Sequence, residues 1–467
     1  MKRLLVGLVL LLTLAAAPAA HAAAYTATDE VATMDDGVGI AVTLYQPIGL
    51  GPARVPGVML LHGIGANRSQ VAPIAQLFAE NGYVALTFDF RGHGQSGGLF
   101  SGLGARELAD VAILRERWLP EHSQVSDRVG GWGISLGGGA LLRSIGEGEP
   151  FAAAEVAETW TDLYEALVPQ GLPKSGAIFQ FLGAVPRNRQ SPELLAVSDA
   201  VARVDVPALK AFAGARSSRQ LLGRGYPPTY FFQGRQDFAF GLDQGLAGYQ
   251  ALNGPKRLYV GPFGHAPSTF PGPDFELQKQ RALAWFDHYL KGVPNGIENA
   301  PKVELVPEGG GMPVGSAALP RTVTRAFSLP GRSTIGTAGK VVRRVRLTRA
   351  AETFGAPTVD VRASSTTGWT HLVAVLVART PDGRDIVVSE GGAPTRLSAK
   401  PRLFRVRLIS VVKKIPAGSR LELTLAGTST AQNAANLLYL VPVPQRARIT
   451  VRNVSLAIPF LRTPVTR

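Results

Sequence analysis

Cysteine is absent from the 467 residues. Its absence excludes a disulfide framework, a thiolate zinc site and a cysteine nucleophile, leaving hydroxyl, imidazole and carboxylate groups for any catalysis. Long hydrophobic runs are also missing. Beyond the N-terminal segment no stretch reaches the ~18 uninterrupted apolar residues that a membrane-spanning helix needs. Nor is there a His-Glu-x-x-His motif, a P-loop or a dinucleotide fingerprint, so metal, nucleotide and nicotinamide cofactors lack support and none is expected. What is present is a 45% hydrophobic, 18% charged chain, suited to two or three folded domains. Its 53 glycines and 34 prolines follow no three-residue period, which speaks for many turns and against collagen.

Acidic residues are scarce in one region only. Met1 to Ala300 holds 24 Lys and Arg against 26 Asp and Glu, a net of 24 − 26 = −2, whereas Pro301 to Arg467 holds 25 against 8, a net of 25 − 8 = +17. The formal charge of +15 therefore belongs to the last third. This step falls just after the turn-rich Lys291-Gly292-Val293-Pro294-Asn295-Gly296 and marks an expected domain boundary at 300/301. A nucleic-acid partner is not expected, since no recognised binding motif accompanies the charge. The basic region is expected either to hold the protein near an anionic envelope or polymer, or to be an arginine-rich solubilising surface.

The N-terminus reads as a secretory signal peptide over residues 1–22. Met1-Lys2-Arg3 gives a basic start, Leu4 to Ala17 an apolar run short for a bilayer, and Ala20-His21-Ala22 a small-x-small cleavage pattern. A secreted or periplasmic mature protein starting near Ala23 is expected. Without a cysteine after the run, a bacterial lipoprotein anchor is excluded.

From Ile40 to Gly292 short apolar runs alternate with helical patterns. Val58 to Leu61, Tyr83 to Phe88, Val129 to Trp132, Thr229 to Gln233 and Arg257 to Gly261 read as strands. Leu103 to Leu119, Leu136 to Ile145, a segment from about Ala239 and one carrying Leu283, Phe286 and Leu290 read as helices. Such alternation indicates α/β architecture, a mainly parallel sheet covered on both faces, with ligands at the carboxyl ends of the strands. The repeat breaks at about 160–226, a cap over the strand ends or an ordinary long loop. After Pro301 β-branched runs punctuated by turns, such as His371 to Ala378 and Leu421 to Leu425, suggest an all-β sandwich.

A Gly-x-Ser-x-Gly elbow places serine on a strained turn between strand and helix, where flanking side chains would collide with backbone. The pattern occurs twice, at Gly94-Gln95-Ser96-Gly97-Gly98 and Gly133-Ile134-Ser135-Leu136-Gly137. Only Ser135 follows a strand and opens a helix. In this fold an acid and then a histidine follow the serine, each on a loop after a strand. Asp237 follows Thr229 to Gln233, and His265 follows Arg257 to Gly261. His288 sits on a helix and His371 begins a strand in the other domain, while His62 precedes the serine and reads as structural. An oxyanion hole takes one N–H from Leu136 and another from the loop His62-Gly63-Ile64-Gly65, through Ile64.

With these residues the chain resembles the α/β-hydrolase superfamily over about Ala32 to Gly292. Gly261-Pro262-Phe263-Gly264-His265, Trp160-Thr161-Asp162-Leu163 and Trp285-Phe286-Asp287 leading into Leu290-Lys291-Gly292 are similar to the X-Pro dipeptidyl-peptidase and cocaine-esterase-like acyl hydrolases. His371-Leu372-Val373 through Thr380-Pro381-Asp382-Gly383 resembles that family's C-terminal jelly-roll domain. The resemblance implies a catalytic domain over 32–300 with a cap at about 160–226, a β-sandwich over 301–467, and a triad at Ser135, Asp237 and His265. One departure concerns the oxyanion loop: several members use a tyrosine hydroxyl there, whereas His62-Gly63-Ile64-Gly65 is closer to general esterases and lipases.

The expectation is a secreted serine hydrolase cleaving small ester or peptide substrates through an acyl-enzyme. A catalytically inert binding protein that uses its basic domain on anionic surfaces is the alternative. A dipeptidyl-peptidase must bind a free α-amine. Glu155, Glu158, Asp162 and Glu165 cluster near the start of the insertion, as acids for that purpose or as one solvated helical face.

Overall fold

The computed structural model describes residues 23–463 apart from 224 and 431–436. The expected signal peptide, 1–22, lies outside the described residues. The larger sheet has ten strands in the order β1-β2-β4-β3-β5-β6-β7-β8-β9-β10. They are β1 Tyr25–Thr33, β2 Gly39–Pro47, β3 Val55–Leu61, β4 Val84–Phe88, β5 Val125–Ile134, β6 Ala153–Ala157, β7 Thr229–Gly234, β8 Lys256–Gly261, β9 Val303–Leu305 and β10 Val314–Ser316. From β4 through β3 to β9 every pairing is parallel, and antiparallel strands close both edges. The central strands are apolar on both faces because helices cover both. On one side pack α1 Ala72–Glu80 and α10 Phe275–Phe286, through Phe78, Trp285 and Phe286. On the other lie α2 Ala105–Ile113, carried on to α3 Leu119–His122, with α4 Leu136–Glu147 and α9 Leu242–Ala251.

Two features differ from the sequence expectation. The sheet continues past Ala300, since β9 and β10 pair with β8 and with each other, so the charge step precedes the last strands of the larger domain. And Glu155 belongs to β6, paired with Trp132 on one side and Tyr230 on the other. Its buried carboxyl accepts the Trp132 Nε1–H at 2.7 Å. Glu155 and Glu158 therefore do not lie on a solvated helical face; both are 2% exposed. Asp162 and Glu165 instead start the first cap helix, where Asp162 caps the Glu165 N–H.

Between β6 and β7 the chain forms four helices, α5 Leu163–Leu167, α6 Ser175–Gly183, α7 Pro192–Arg203 and α8 Val206–Gly214. Ser191 and Asp205 cap α7 and α8 through their side chains, each with proline in the first turn. These helices sit over the carboxyl ends of the strands, and their buried leucines and valines join the main core.

Beyond Arg321 the chain is a β-sandwich. One sheet runs β11-β21-β15-β18, with a short strand at 333–336 also on β21, and the other β13-β20-β16-β17. The strands are β11 Thr322–Leu329, β12 Ser333–Gly336, β13 Lys340–Arg346, β15 Thr358–Ser364, β16 His371–Arg379, β17 Asp385–Pro394, β18 Arg402–Arg407, β20 Arg420–Ala426 and β21 Arg448–Leu461, with a separate short pair of β14 Ala351–Glu352 and β19 Lys414–Ile415. All pairings are antiparallel, and alternate inward residues such as Val359, Val361, Leu421, Leu423 and Leu456 fill the space between the sheets.

Candidate active site

The turn between β5 and α4 is built by its glycines. A Cβ on Gly133 would fall 2.5 Å from Gly137 O, and one on Gly137 would fall 2.1 Å from Leu61 O. With those side chains absent, strand and helix approach closely enough to push Ser135 to φ 52°, ψ −115°. Few non-glycine residues hold such a backbone, and the surroundings fix it here. Ser135 N–H donates to Ala157 O at 2.9 Å, and Thr159 Oγ1 donates to Ser135 O at 2.8 Å. Ser96, in the second match to the motif, is spent: its Oγ donates to Asp89 O and accepts Ala41 N–H.

Ser135 Oγ stands 2.9 Å from His265 Nε2, and His265 Nδ1 stands 2.7 Å from Asp237 Oδ2. Each comes from the loop that follows its strand, β5, β8 and β7 respectively. The carboxylate of Asp237 is wholly buried and its other oxygen accepts the N–H groups of Ala239 and Phe240. Burial alone would lower the His265 pKa, but the charge and hydrogen bond of Asp237 outweigh it and the net shift is upward. The rings of Phe181 and Phe240 stand edge-on to the imidazole, at 5.7 and 5.0 Å between centroids.

Leu136 opens α4, so its N–H has no carbonyl within the helix to bond. Ile64 follows β3 on a loop held by Gln70, whose side chain accepts Gly63 N–H at 2.8 Å. A Cβ on Gly63 would lie 3.6 Å from that of Ser135, which places this loop beside the serine. His62 is buried away from the relay, its Nε2 accepting Phe90 N–H, and burial lowers its pKa to about 3. His288 bonds Val293 O and His371 bonds Gly427 O, so neither joins the group.

The sequence groups Glu158 with Glu155, Asp162 and Glu165, as acids for a substrate amine or as one solvated face; the structure places it behind His265 instead. Glu158, in a left-handed conformation at the end of β6, brings Oε2 to 4.0 Å from His265 Nδ1. Its Oε1 has no hydrogen-bond partner among the described residues. Burial pushes its pKa up to about 8, against the pull of His265 and with added repulsion from Asp237 and Asp274. At neutral pH it is a neutral acid behind the imidazole. The signal that would have placed it there is its position after a strand next to that of the serine. Glu158, Asp237 and His265 are also the one group of metal-ligand type among the described residues, with ligand atoms within 4.8 Å. Two of those three atoms already bond each other and the third belongs to an uncharged acid, so the donor set is committed to the relay.

Beside the serine, under the cap, lies a chamber whose wall includes Ser135, Leu136 and Ile64. The cap supplies Leu163, Ile178, Phe181, Val197 and Leu209, and the loop after Asp237 supplies Phe240.

A strained serine after the fifth strand of this sheet, with an acid after the seventh and a histidine after the eighth, defines an α/β hydrolase. The profile of the family described as X-Pro dipeptidyl-peptidase (S15 family) matches residues 36–267. A CocE/NonD family hydrolase from Staphylococcus aureus is similar over 93% of both chains, with 15% identity and a TM-score of 0.72. An α-amino acid ester hydrolase covers 95% of this chain and 98% of its own, with 16% identity and a TM-score of 0.69. The chain is thus similar to the X-Pro dipeptidyl-peptidase (S15) family over 36–267, and the two solved structures share its α/β-hydrolase fold over nearly the whole chain. Among curated proteins, an uncharacterized 31.7 kDa protein from the traX-finO intergenic region of Escherichia coli is 32% identical over 111 residues, 23% of this chain and 38% of the relative. The chain spans 36% to 50% of the length of such curated relatives.

Proposed function

We propose that the protein is a serine hydrolase that cleaves carboxylic ester or amide bonds through an acyl-enzyme. The observation that carries this reading is the unbroken relay from Ser135 Oγ through His265 to Asp237, at 2.9 and 2.7 Å. His265 Nε2 takes the Ser135 proton as Oγ bonds the substrate carbonyl carbon. The oxygen that becomes negative faces the N–H groups of Leu136 and Ile64, whose loss would cost ~10²-fold or more in turnover. The bond to the leaving group then breaks, and the leaving group departs with the proton from His265. A water molecule attacks the acyl-enzyme with the same base, releasing the acid and returning the proton to Ser135. Asp237 holds the imidazole with Nδ1 protonated and stabilises its cation without taking the proton.

A fluorophosphonate probe should label the native protein and fail to label Ser135→Ala. Undiminished labelling of that variant overturns the assignment, and a native protein that neither labels nor turns over any ester or amide favours the inert-binder alternative. Comparing Gly-Pro anilide with a short aryl ester separates peptidase from esterase.

The proposal extends to export. Recovery outside the cytoplasm of a chain beginning near Ala23 supports it, whereas a full-length cytoplasmic chain counts against it. Attachment of the basic sandwich to an anionic envelope is tested by deleting the sandwich, and unchanged retention on an anionic resin rules it out.

A further inference from the structure

The wall of the chamber under the cap is selective in what it omits. Among the described residues, Ser135 Oγ is its one hydroxyl, and neither a charged side chain nor an acid lines it. Nearby polar groups are spent on the protein itself. The Arg216 guanidinium, over the Phe212 ring at 3.5 Å, donates to the carbonyls of Gly102, Phe212 and Ser101 and pairs with Glu193. Trp160 Nε1–H donates to Arg216 O. Lys174 donates to the carbonyls of Phe238 and Ala239. A substrate ammonium or carboxylate entering this chamber would lose its water and find no partner, a cost that apolar contact does not offset.

The chamber also touches only one side of the reaction centre. Leu136 and Ile64, the oxyanion side, lie in its wall, whereas His265 does not. Phe181 and Phe240 stand between, edge-on to the imidazole. A leaving group has to sit where His265 Nε2 returns a proton to it, outside the chamber. The arm left to enter is the acyl chain.

We propose that this chamber is the acyl-binding site and that the substrate is a carboxylic ester with an uncharged, apolar acyl chain of several carbons. The proposal rests on the serine hydrolase reading and narrows it. Each methylene moved from water into such a chamber is worth about fourfold in kcat/KM. The α-amine of an X-Pro peptide has no counter-charge there.

The test is a series of p-nitrophenyl esters from acetate to octanoate on the native protein. The expected result is a rise of about fourfold per methylene until the chamber is full, with the aminohexanoate ester about 100-fold or more below hexanoate. A flat or falling series, an aminohexanoate ester as good as hexanoate, or faster turnover of Gly-Pro anilide overturns it. So does a rise that follows the alcohol rather than the acyl chain. Val197→Trp, which fills the chamber from α7, should lower the hexanoate-to-acetate ratio by about tenfold or more, the loss of roughly two methylenes of burial; an unchanged ratio also overturns the proposal. Ile178→Phe carries the same reading should the first variant fail to fold. Fluorophosphonate labelling separates the two levels. A flat series with Ser135 labelled removes only the acyl site, whereas an unlabelled Ser135 removes the hydrolase reading beneath it.

Discussion

Glu158 gives the relay a second acid with its own titration. Below about pH 8 it is neutral and adds no charge behind His265. Above that pH it ionises 4.0 Å from Nδ1 and, in the proposed mechanism, favours the imidazolium of the transition state. The groups facing it are His265, Asp237 and Asp274, and the acids among them oppose its ionisation. The pH profile of kcat/KM should therefore carry an extra upward step near pH 8, absent from Glu158→Gln, while both keep the rise governed by His265. Superimposable profiles would show that Glu158 does not reach the imidazole. Stability follows with a definite sign. The unfolded chain releases this proton near 4.5, the folded protein only near 8, so folding takes up a proton between those values. The contribution is full below pH 4.5 and is lost progressively as pH rises to about 8, so the fall in Tm between those pH values should be smaller in Glu158→Gln.

Among the elements, the turn from β5 into α4 tolerates least. A methyl group on Gly137 would meet Leu61 O at 2.1 Å, and that oxygen belongs to a central strand that has nowhere to go. Gly137→Ala should displace the start of α4, and the Leu136 N–H with it. The expected outcome is a kcat lower by ~10²-fold or more with a smaller change in KM, read from steady-state kinetics on the variant. This element was legible in the sequence because its constraint is local: a strand, a strained serine and a helix follow one another within a few residues. Strands β3, β4, β7 and β8 were legible for a related reason, as compact apolar runs bounded by turn residues. Strand β6 was not. Ala-Ala-Glu-Val-Ala is rich in helix formers and carries an acid, and only its place between β5 and β7, with Trp132 ready for the Glu155 carboxyl, makes it a strand. Since β6 was hidden, so was the place of Glu158 at its end, beside the histidine. Short β9 and β10 were lost to a charge boundary that follows composition and not pairing.

Across the whole molecule, the sandwich braces the loop that carries Asp237. Arg235 forms a fully buried ion pair with Glu352, and its carbonyl accepts Val412 N–H at 2.7 Å. The neighbouring Gln236 donates to Val387 O. Arg235→Ala removes the buried guanidinium from Glu352 and should lower the midpoint in chemical denaturation. Turnover should fall with it, because Asp237 is two residues away; an unchanged unfolding midpoint would show that the pair contributes nothing. The role of the second domain at the site was beyond sequence reading, since it depends on residues more than a hundred positions apart.

Lys174, from the cap, holds the same loop from the opposite side through the carbonyls of Phe238 and Ala239. The loop's amides are engaged too: Arg235 bonds Gly261 O, Phe238 bonds Ala266 O, Ala239 and Phe240 bond the Asp237 carboxylate, and Leu242 bonds Ser410 O. A connecting segment between strand and helix ordinarily opens easily and trades its amide protons with solvent early. This one opens only when the cap or the sandwich lets go. In deuterated water the amides of Arg235, Phe238, Ala239, Phe240 and Leu242 should retain their protons nearly as long as the central strands, and fast deuteration there would mean that the clamp breathes on its own.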